Sequence, residues 1–253
     1  MNRLFITIAL TLASIAQVQA AEIKLLSTGL FRGVMPVMAP AFERASGHKV
    51  IVTIATPGAI RDRLVKGEQF DVVLLPTNLN FEDLAKNGVI AMDSRKDIGR
   101  TSLAVAVPAK AAKLDLSSIE AMKSAIVAAK TIALSDPAGG GPIGRYVQQA
   151  AEKFGFGADL KARTKAIVGG GEEVAGAVAK GEADLAITLA SEIATVRGVQ
   201  IGGFLPEQMQ LVITGYGIIV SKSSVADAGK ALIAYMTSPE GRKIMQDSGV
   251  DPL

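Results

Sequence analysis

The sequence contains no cysteine and no tryptophan, and it has one histidine, His48. Without cysteine the chain can form neither a disulfide nor a thiolate metal site, and it cannot carry a lipid on an N-terminal cysteine. A single histidine argues against a histidine-rich metal centre, so we expect no metal. The Gly-x-x-x-x-Gly-Lys-Ser/Thr motif is also absent, and we expect no nucleotide or other cofactor.

Concentrated positive charge is missing as well. The net charge of +3 and the isoelectric point near 9.1 come from a small excess of lysine and arginine spread along the chain. No basic block is interleaved with aromatic residues, so we do not expect nucleic acid to be a partner.

The first twenty residues differ from the rest of the chain. Arg3 precedes an uncharged apolar run over residues 4–16, and Val18 and Ala20 place small residues where a signal peptidase reads. This run is too short for a membrane-spanning helix, which needs about 20 residues. The pattern predicts a signal peptide over residues 1–20, cleaved before Ala21, and a protein that works in the periplasm without a lipid anchor.

Strand and helix patterns alternate through the remainder of the chain, which predicts an α/β fold with doubly wound parallel sheets. We predict strands over residues 23–26, 50–55, 71–75, 101–107, 131–134, 166–168, 184–188 and 211–220. The expected helices cover residues 31–45, 59–66, 79–87, 117–129, 143–154, 172–180, 225–237 and a last one capped by Ser238. The order favours two lobes, 21–100 with 209–253 and 101–208, joined by a hinge of two strands near 101–108 and 211–220.

Five short loops rich in hydroxyl groups and glycine follow predicted strands. Ligands of open parallel sheets bind at the carboxyl ends of strands, where helix N-termini present free N–H groups to anions. Each loop alone is typical of an ordinary turn, but five in comparable positions favour a binding cleft. The loops are residues 27–29 (STG), 55–58 (ATPG), 76–78 (PTN), 135–141 (SDPAGGG) and 169–171 (GGG).

Several stretches resemble the type II periplasmic solute-binding proteins, and in particular their molybdate-binding branch, across nearly the whole chain after residue 20. The stretches are 42–50 (FERASGHKV), 67–73 (GEQFDVV), 84–90 (LAKNGVI), 181–187 (GEADLAI) and 238–241 (SPEG). The resemblance implies two α/β lobes that close over one small anion. It places these residues around the ligand: Ser27, Thr28, Thr56, Gly58, Ala138, Gly141, Gly170 and Gly171. Where the branch has a serine cluster this chain has Thr56 to Gly58, and where it has a tyrosine this chain has Leu189.

Three arginines, Arg32, Arg61 and Arg145, fall in the first turns after these loops. The bidentate geometry of arginine suits carboxylates, although a surface position in solvent is the commoner role of an arginine. Residues 93–99 (DSRKDIG), 135–138 (SDPA) and 220–223 (VSKS) also resemble a narrower branch that contains periplasmic aconitate isomerase.

Two functions remain open from the sequence, and the first is the leading hypothesis. The first is a monomeric binding protein that captures a carboxylate such as aconitate or citrate, or an oxyanion such as molybdate, and delivers it to an inner-membrane permease or sensor. The second is a cofactor-free aconitate isomerase on the same fold. An isomerase needs an acid–base residue, for which Asp136 is the first candidate and Glu172 or Glu173 the next, although acidic residues at helix starts are commonly caps.

Overall fold

A computed structural model describes residues 20–77, 79–136 and 142–253. Strands and helices alternate at the start of the chain, as the sequence predicts. The first elements are β1 (Glu22–Ser27), α1 (Met35–Ser46), β2 (Lys49–Ile54), α2 (Pro57–Val65), β3 (Val72–Pro76), α3 (Glu82–Lys86) and β4 (Ile90–Pro108). A short 3-10 turn, Gly29–Phe31, lies between β1 and α1.

A second α/β series follows β4, and the chain then ends in strands and helices that pack back on the first series. The elements are α4 (Ile119–Ala128), β5 (Ile132–Ser135), α5 (Pro142–Lys153), α6 (Gly157–Arg163), β6 (Thr164–Ile167), α7 (Gly171–Ala179), β7 (Leu185–Leu189), α8 (Ala190–Ile193), β8 (Val199–Phe204), β9 (Val212–Val220), α9 (Ala226–Met236), α10 (Pro239–Asp247) and β10 (Asp251–Pro252).

The strands pair in the order β2-β1-β3-β9-β4-β7-β5-β6, with β8 and β10 also pairing with β4. On one side β1 runs parallel to β2 and β3, and on the other β5 runs parallel to β6 and β7. The long β4 joins the two groups, because its first part pairs antiparallel with β9 and its last part pairs antiparallel with β7. The carboxyl ends of β1 and of β7 therefore lie on either side of the same long strand.

The core is built by apolar residues on both faces of these strands. Phe31, Phe42 and Phe156 are among the largest fully buried side chains. Phe31 holds the 3-10 turn down on β9, where a Cβ added to Gly215 would lie 2.5 Å from the ring carbon Cζ. The glycine thus allows the aromatic ring to approach the strand, and the ring fixes the position of the loop that follows β1.

Most predicted elements are present, with differences that have local causes. The helix predicted from residue 31 begins only at Met35, with Pro36 in its first turn and Pro40 inside it. The sequence predicts a strand from residue 101, but β4 begins at Ile90. Its polar stretch 93–97 is held in the strand by irregular pairing with β9. Four helices and strands were missed: α6, the four-residue α8, the two-residue β10, and β8, whose two glycines weaken the strand pattern.

Candidate functional site

The carboxyl end of β1 supplies two buried hydroxyl residues, Ser27 and Thr28. Ser27 Oγ donates a hydrogen bond to the backbone oxygen of Thr28 at 3.0 Å, and the Thr28 backbone N–H donates to Leu74 O at 3.2 Å. Thr28 Oγ1 is buried and has no hydrogen-bond partner among the residues the structure describes. A buried hydroxyl without a partner costs about 1–3 kcal/mol, and a ligand oxygen would remove that cost.

A second such hydroxyl comes from the loop after β7. Ser191, in α8, is buried, and within the described part of the chain its Oγ also has no partner. Helix α8 contacts the turn Gly29–Phe31, and a Cβ added to Gly33 would lie 2.5 Å from Cγ2 of Thr195. The loops that follow β1 and β7 therefore meet, and each contributes one unpartnered hydroxyl.

An ion pair joins the loop after β1 to the start of α7. Arg32 Nε lies 3.5 Å from Oε1 of Glu172, the second residue of α7. The same carboxylate oxygen lies 3.1 Å from Oγ1 of Thr195, just after α8. About half of the Arg32 side chain remains exposed, so its guanidinium is accessible to a ligand from solvent.

The most enclosed acidic group of this region is the carboxylate of Glu192. Its Oε2 accepts hydrogen bonds from Thr188 Oγ1 at 2.5 Å and from the Leu189 backbone N–H at 3.3 Å. The first residue of α7 is Gly171, where an added Cβ would stand 1.8 Å from this oxygen. Burial raises the pKa of Glu192, and the nearby charge of Glu172 adds to the effect, while the hydrogen bonds oppose it. We call Thr28, Arg32, Glu172, Ser191 and Glu192 the interloop cluster.

Replacing Glu192 with glutamine should change how stability depends on pH. The pKa of Glu192 lies above its ordinary value of 4.5, so above that pH the folded chain holds this proton longer than the unfolded chain does. Stability of the wild-type protein should therefore contain a contribution that declines as pH rises above 4.5, and Glu192→Gln should lack it. Urea unfolding from about pH 4 to pH 8 measures this. A stability difference between the two proteins that stays constant over that range would contradict the assigned shift.

The glycine run at the start of α7 allows the close approach of Glu192 Oε2 to Gly171. Gly169 has a positive φ of 126°, a conformation that side chains strongly disfavour. Gly170 precedes the helix, and its N–H donates to Oε2 of Glu173 at 2.8 Å. Glu173 therefore caps α7, whereas Glu172 reaches towards Arg32.

Three residues predicted to bind ligand lie around α2. Thr56 caps this helix by accepting from the Ala59 N–H at 3.3 Å, and Gly58 is exposed in its first turn. The guanidinium of Arg61 binds Asp83 and the Asn80 carbonyl oxygen, and lies 5.2 Å from the centre of the Phe81 ring. Among the described residues, no hydrogen bond or ion pair connects Thr56 or Arg61 to the interloop cluster.

The remaining predicted residues lie near β5. Asp136 is partly buried directly after the strand, and its backbone N–H donates to Ile167 O at 2.9 Å. Arg145 is exposed in the first turn of α5. Ala138 and Gly141 lie outside the described residues.

Sequence reasoning missed Ser191 and Glu192. Their only local signal is the spacing of a capping box, in which Glu192 reaches back to the Leu189 backbone at the start of α8. That helix has four residues, too few to show a periodic pattern.

The family of the chain is decided by its match over residues 23–251 to the profile described as bacterial extracellular solute-binding protein. The chain belongs to this family. Membership confirms the α/β solute-binding fold and the expected branch, since the relatives include both proteins that the sequence stretches resemble. In the described part of this solute-binding protein, no helix is long and apolar enough to cross a membrane.

Three relatives locate the solute-binding protein within the family. It is 35% identical to an aconitate isomerase of a Pseudomonas species, over 97% of this chain and 94% of that one. Identity to the molybdate-binding protein ModA of Azotobacter vinelandii is 27%, over 98% and 97% of the two chains. A solved substrate-binding domain from Clostridium difficile, assigned to a molybdenum ABC transporter, superposes with a TM-score of 0.74 at 17% identity, covering 92% of this chain and all of that one.

Proposed function

We propose that this solute-binding protein is a periplasmic, cofactor-free aconitate isomerase that interconverts the cis and trans isomers. The observation that carries the proposal is the pairing of Arg32 with Glu172 beside the buried hydroxyls of Thr28 and Ser191. The 35% identity to an aconitate isomerase over nearly the full length of both chains supports it.

The donors of the interloop cluster suit a carboxylate ligand. Arginine binds a carboxylate through two parallel hydrogen bonds, and a hydroxyl adds a further donor. Arg32 is paired with Glu172 at 3.5 Å and half exposed, so a ligand carboxylate can take over its free donors. The start of α7 adds the positive end of a helix dipole to the same place.

Isomerisation of aconitate requires only the movement of one proton. The methylene carbon of cis-aconitate lies between a carboxylate and the double bond, so loss of its proton leaves a delocalised dienolate. Returning the proton to the former vinyl carbon regenerates aconitate, and the new double bond can have either geometry. Positive groups such as Arg32 would stabilise the extra negative charge of the dienolate, which is how such intermediates are made accessible.

Two substitutions at the ion pair should change affinity in opposite directions. Arg32→Ala removes a charge-assisted hydrogen-bond donor worth roughly 1.5–3 kcal/mol, so the Kd for trans-aconitate should rise about 10–100-fold. Glu172→Gln removes a competing negative charge, so the Kd should fall. Isothermal titration calorimetry measures both.

Arg63→Ala is the matched control. Arg63 lies in α2, where it pairs with Glu68 and its guanidinium lies over the Phe70 ring. It should leave the Kd within about twofold. An Arg32→Ala variant that binds as well as the control would remove Arg32 from the site.

The proposal itself is tested with a ligand panel followed by a rate assay. Thermal shift with molybdate, sulfate, phosphate, citrate and both aconitate isomers should show stabilisation by aconitate. An absorbance assay should then show conversion of one isomer into the other. Stabilisation by molybdate alone would contradict the carboxylate site.

Family membership favours a second candidate, the binding component of an ABC-type transporter. In that case the lobes 21–100 with 209–253 and 101–208 would close on the same anion by bending at β4 and β9. The closed monomer would then dock on an inner-membrane permease. Tight binding of an anion with no conversion at high protein concentration is the result that would favour this function.

A further inference from the structure

We propose that Glu192 is the catalytic acid–base residue that moves the proton between the two carbons of aconitate. This inference rests on the proposed isomerase function. It assigns the role to a residue in α8 rather than to Asp136, Glu172 or Glu173.

The carboxylate of Glu192 is held in a fixed orientation by hydrogen bonds from β7 and from the start of α7. Thr188 Oγ1 and the Leu189 N–H both donate to Oε2, and Gly171 packs against the same atom. The Gly171 backbone also hydrogen-bonds this carboxylate, and Glu192 as a whole is only partly buried. A fixed carboxylate in a residue that keeps some exposed surface suits a positioned general base.

The surroundings of Glu192 favour its use as a base. Burial raises the pKa of this carboxyl and makes its ionised form a stronger base than an exposed glutamate. From α7 the charge of Glu172 acts on it, and Glu172 is itself paired with Arg32 from the loop after β1. From β7, the uncharged Thr188 donates to Glu192, and from β4 the uncharged Thr101 accepts from the neighbouring Ser191 backbone N–H.

The other acidic candidates are engaged differently. Glu172 lies against Arg32 and Thr195, so its carboxylate offsets the charge of the anion-binding arginine. Glu173 caps the start of α7 through the Gly170 N–H. Glu192 combines enclosure, an anchored orientation and a place in α8, the helix that contacts the turn after β1.

The proposed step is balanced without any other reactant. An oxygen of ionised Glu192 takes the methylene proton, and the C–H electron pair enters the dienolate. The protonated carboxyl then returns a proton to the former vinyl carbon, where a new C–H bond forms. Glu192 ends ionised, as it began, while Thr188 keeps the carboxylate in place as a positioning residue.

Glu192→Gln should lower kcat for aconitate conversion by at least 100-fold, the usual loss when a general base is removed. Glutamine keeps the shape and can still accept from Thr188, so the affinity for trans-aconitate should change less than about threefold. Glu43→Gln is the matched control, because Glu43 is partly buried and accepts from the Val50 backbone N–H in the other part of the molecule. The control should keep full activity.

Glu192→Asp provides the second variant, since it retains a carboxylate at a shorter reach. Its kcat should lie between those of the wild type and Glu192→Gln, and the acidic limb of its kcat/KM profile against pH should move from the wild-type position. If Glu192 only caps α8, Glu192→Asp should lower the melting temperature and leave this acidic limb unchanged.

The outcomes separate this inference from the function on which it rests. Conversion by the wild type together with more than a tenth of wild-type kcat in Glu192→Gln would overturn the role of Glu192 alone. A wild-type protein that binds aconitate without converting it would overturn both the isomerase function and this assignment.

Discussion

Replacing Gly171 with alanine should lower aconitate conversion by about 100-fold or more and also reduce stability. The added Cβ would stand 1.8 Å from Glu192 Oε2 and 2.2 Å from Thr188 Oγ1, distances that no real contact tolerates. Either the Glu192 carboxylate rotates away or the start of α7 shifts outward, and a displacement near 1 Å at a reacting group costs about 100-fold in rate. Overpacking of this kind also costs about 1–3 kcal/mol of unfolding free energy.

Gly176→Ala supplies the control within the same helix. No atom lies within 4 Å of a Cβ added there, so the variant should keep its activity. It should gain about 0.5–1 kcal/mol of stability, because alanine is favoured over glycine inside a helix. Measured kcat and urea unfolding of both variants decide the matter, and a fully active Gly171→Ala would mean that the Gly171–Glu192 contact does not position the site.

The second large effect is on stability alone and concerns Gly144 in α5. A Cβ at this position would stand 1.9 Å from the backbone oxygen of Ser135, at the end of β5. Backbone cannot move aside as a flexible side chain can, so α5 must retreat and lose the hydrogen bond from the Gly144 N–H to Ser135 Oγ, now 2.9 Å. Overpacking together with the lost buried bond predicts that Gly144→Ala lowers the unfolding free energy by about 2–4 kcal/mol.

Urea denaturation compares this variant with Gly58→Ala. Gly58 also lies in the first turn of a helix, but no atom lies within 4 Å of an added Cβ. Its replacement should change stability by less than about 0.5 kcal/mol. If Gly144→Ala unfolded at the same urea concentration as the wild type, that result would contradict the tight packing of α5 on β5.

The architecture could be predicted because apolar residues recur with clear periods in most elements. Strands β1 and β3 are short buried runs, and Ser238 caps α10 by accepting from the Gly241 N–H as its sequence position predicts. The first part of β4 escaped prediction because residues 93–97 are polar and charged, and their strand conformation depends on irregular pairing with β9. Local pattern does not contain that tertiary pairing.

The site was predictable only in part, for a related reason. The sequence predicts Ser27, Thr28 and Glu172 as cleft residues because they follow strands at helix starts, and Arg32 because it follows the loop after β1; their part in binding stays a prediction. Glu192 is distinguished by its burial against Gly171 and Thr188, which come from different elements. A glutamate one turn after a buried strand looks like a helix cap in the sequence, and only the packed structure shows that its pKa is raised.

Proton NMR in deuterated buffer tests the isomerase function most directly, using residues 21–253 with pure cis-aconitate in one sample and pure trans-aconitate in another. Both samples should reach the same mixture of isomers, and deuterium should enter the methylene position as the proton is moved. The same experiment with Arg32→Ala at the same protein and substrate concentrations should approach that mixture more slowly. If each isomer persists unchanged and undeuterated in the presence of concentrated wild-type protein, the protein is not an aconitate isomerase.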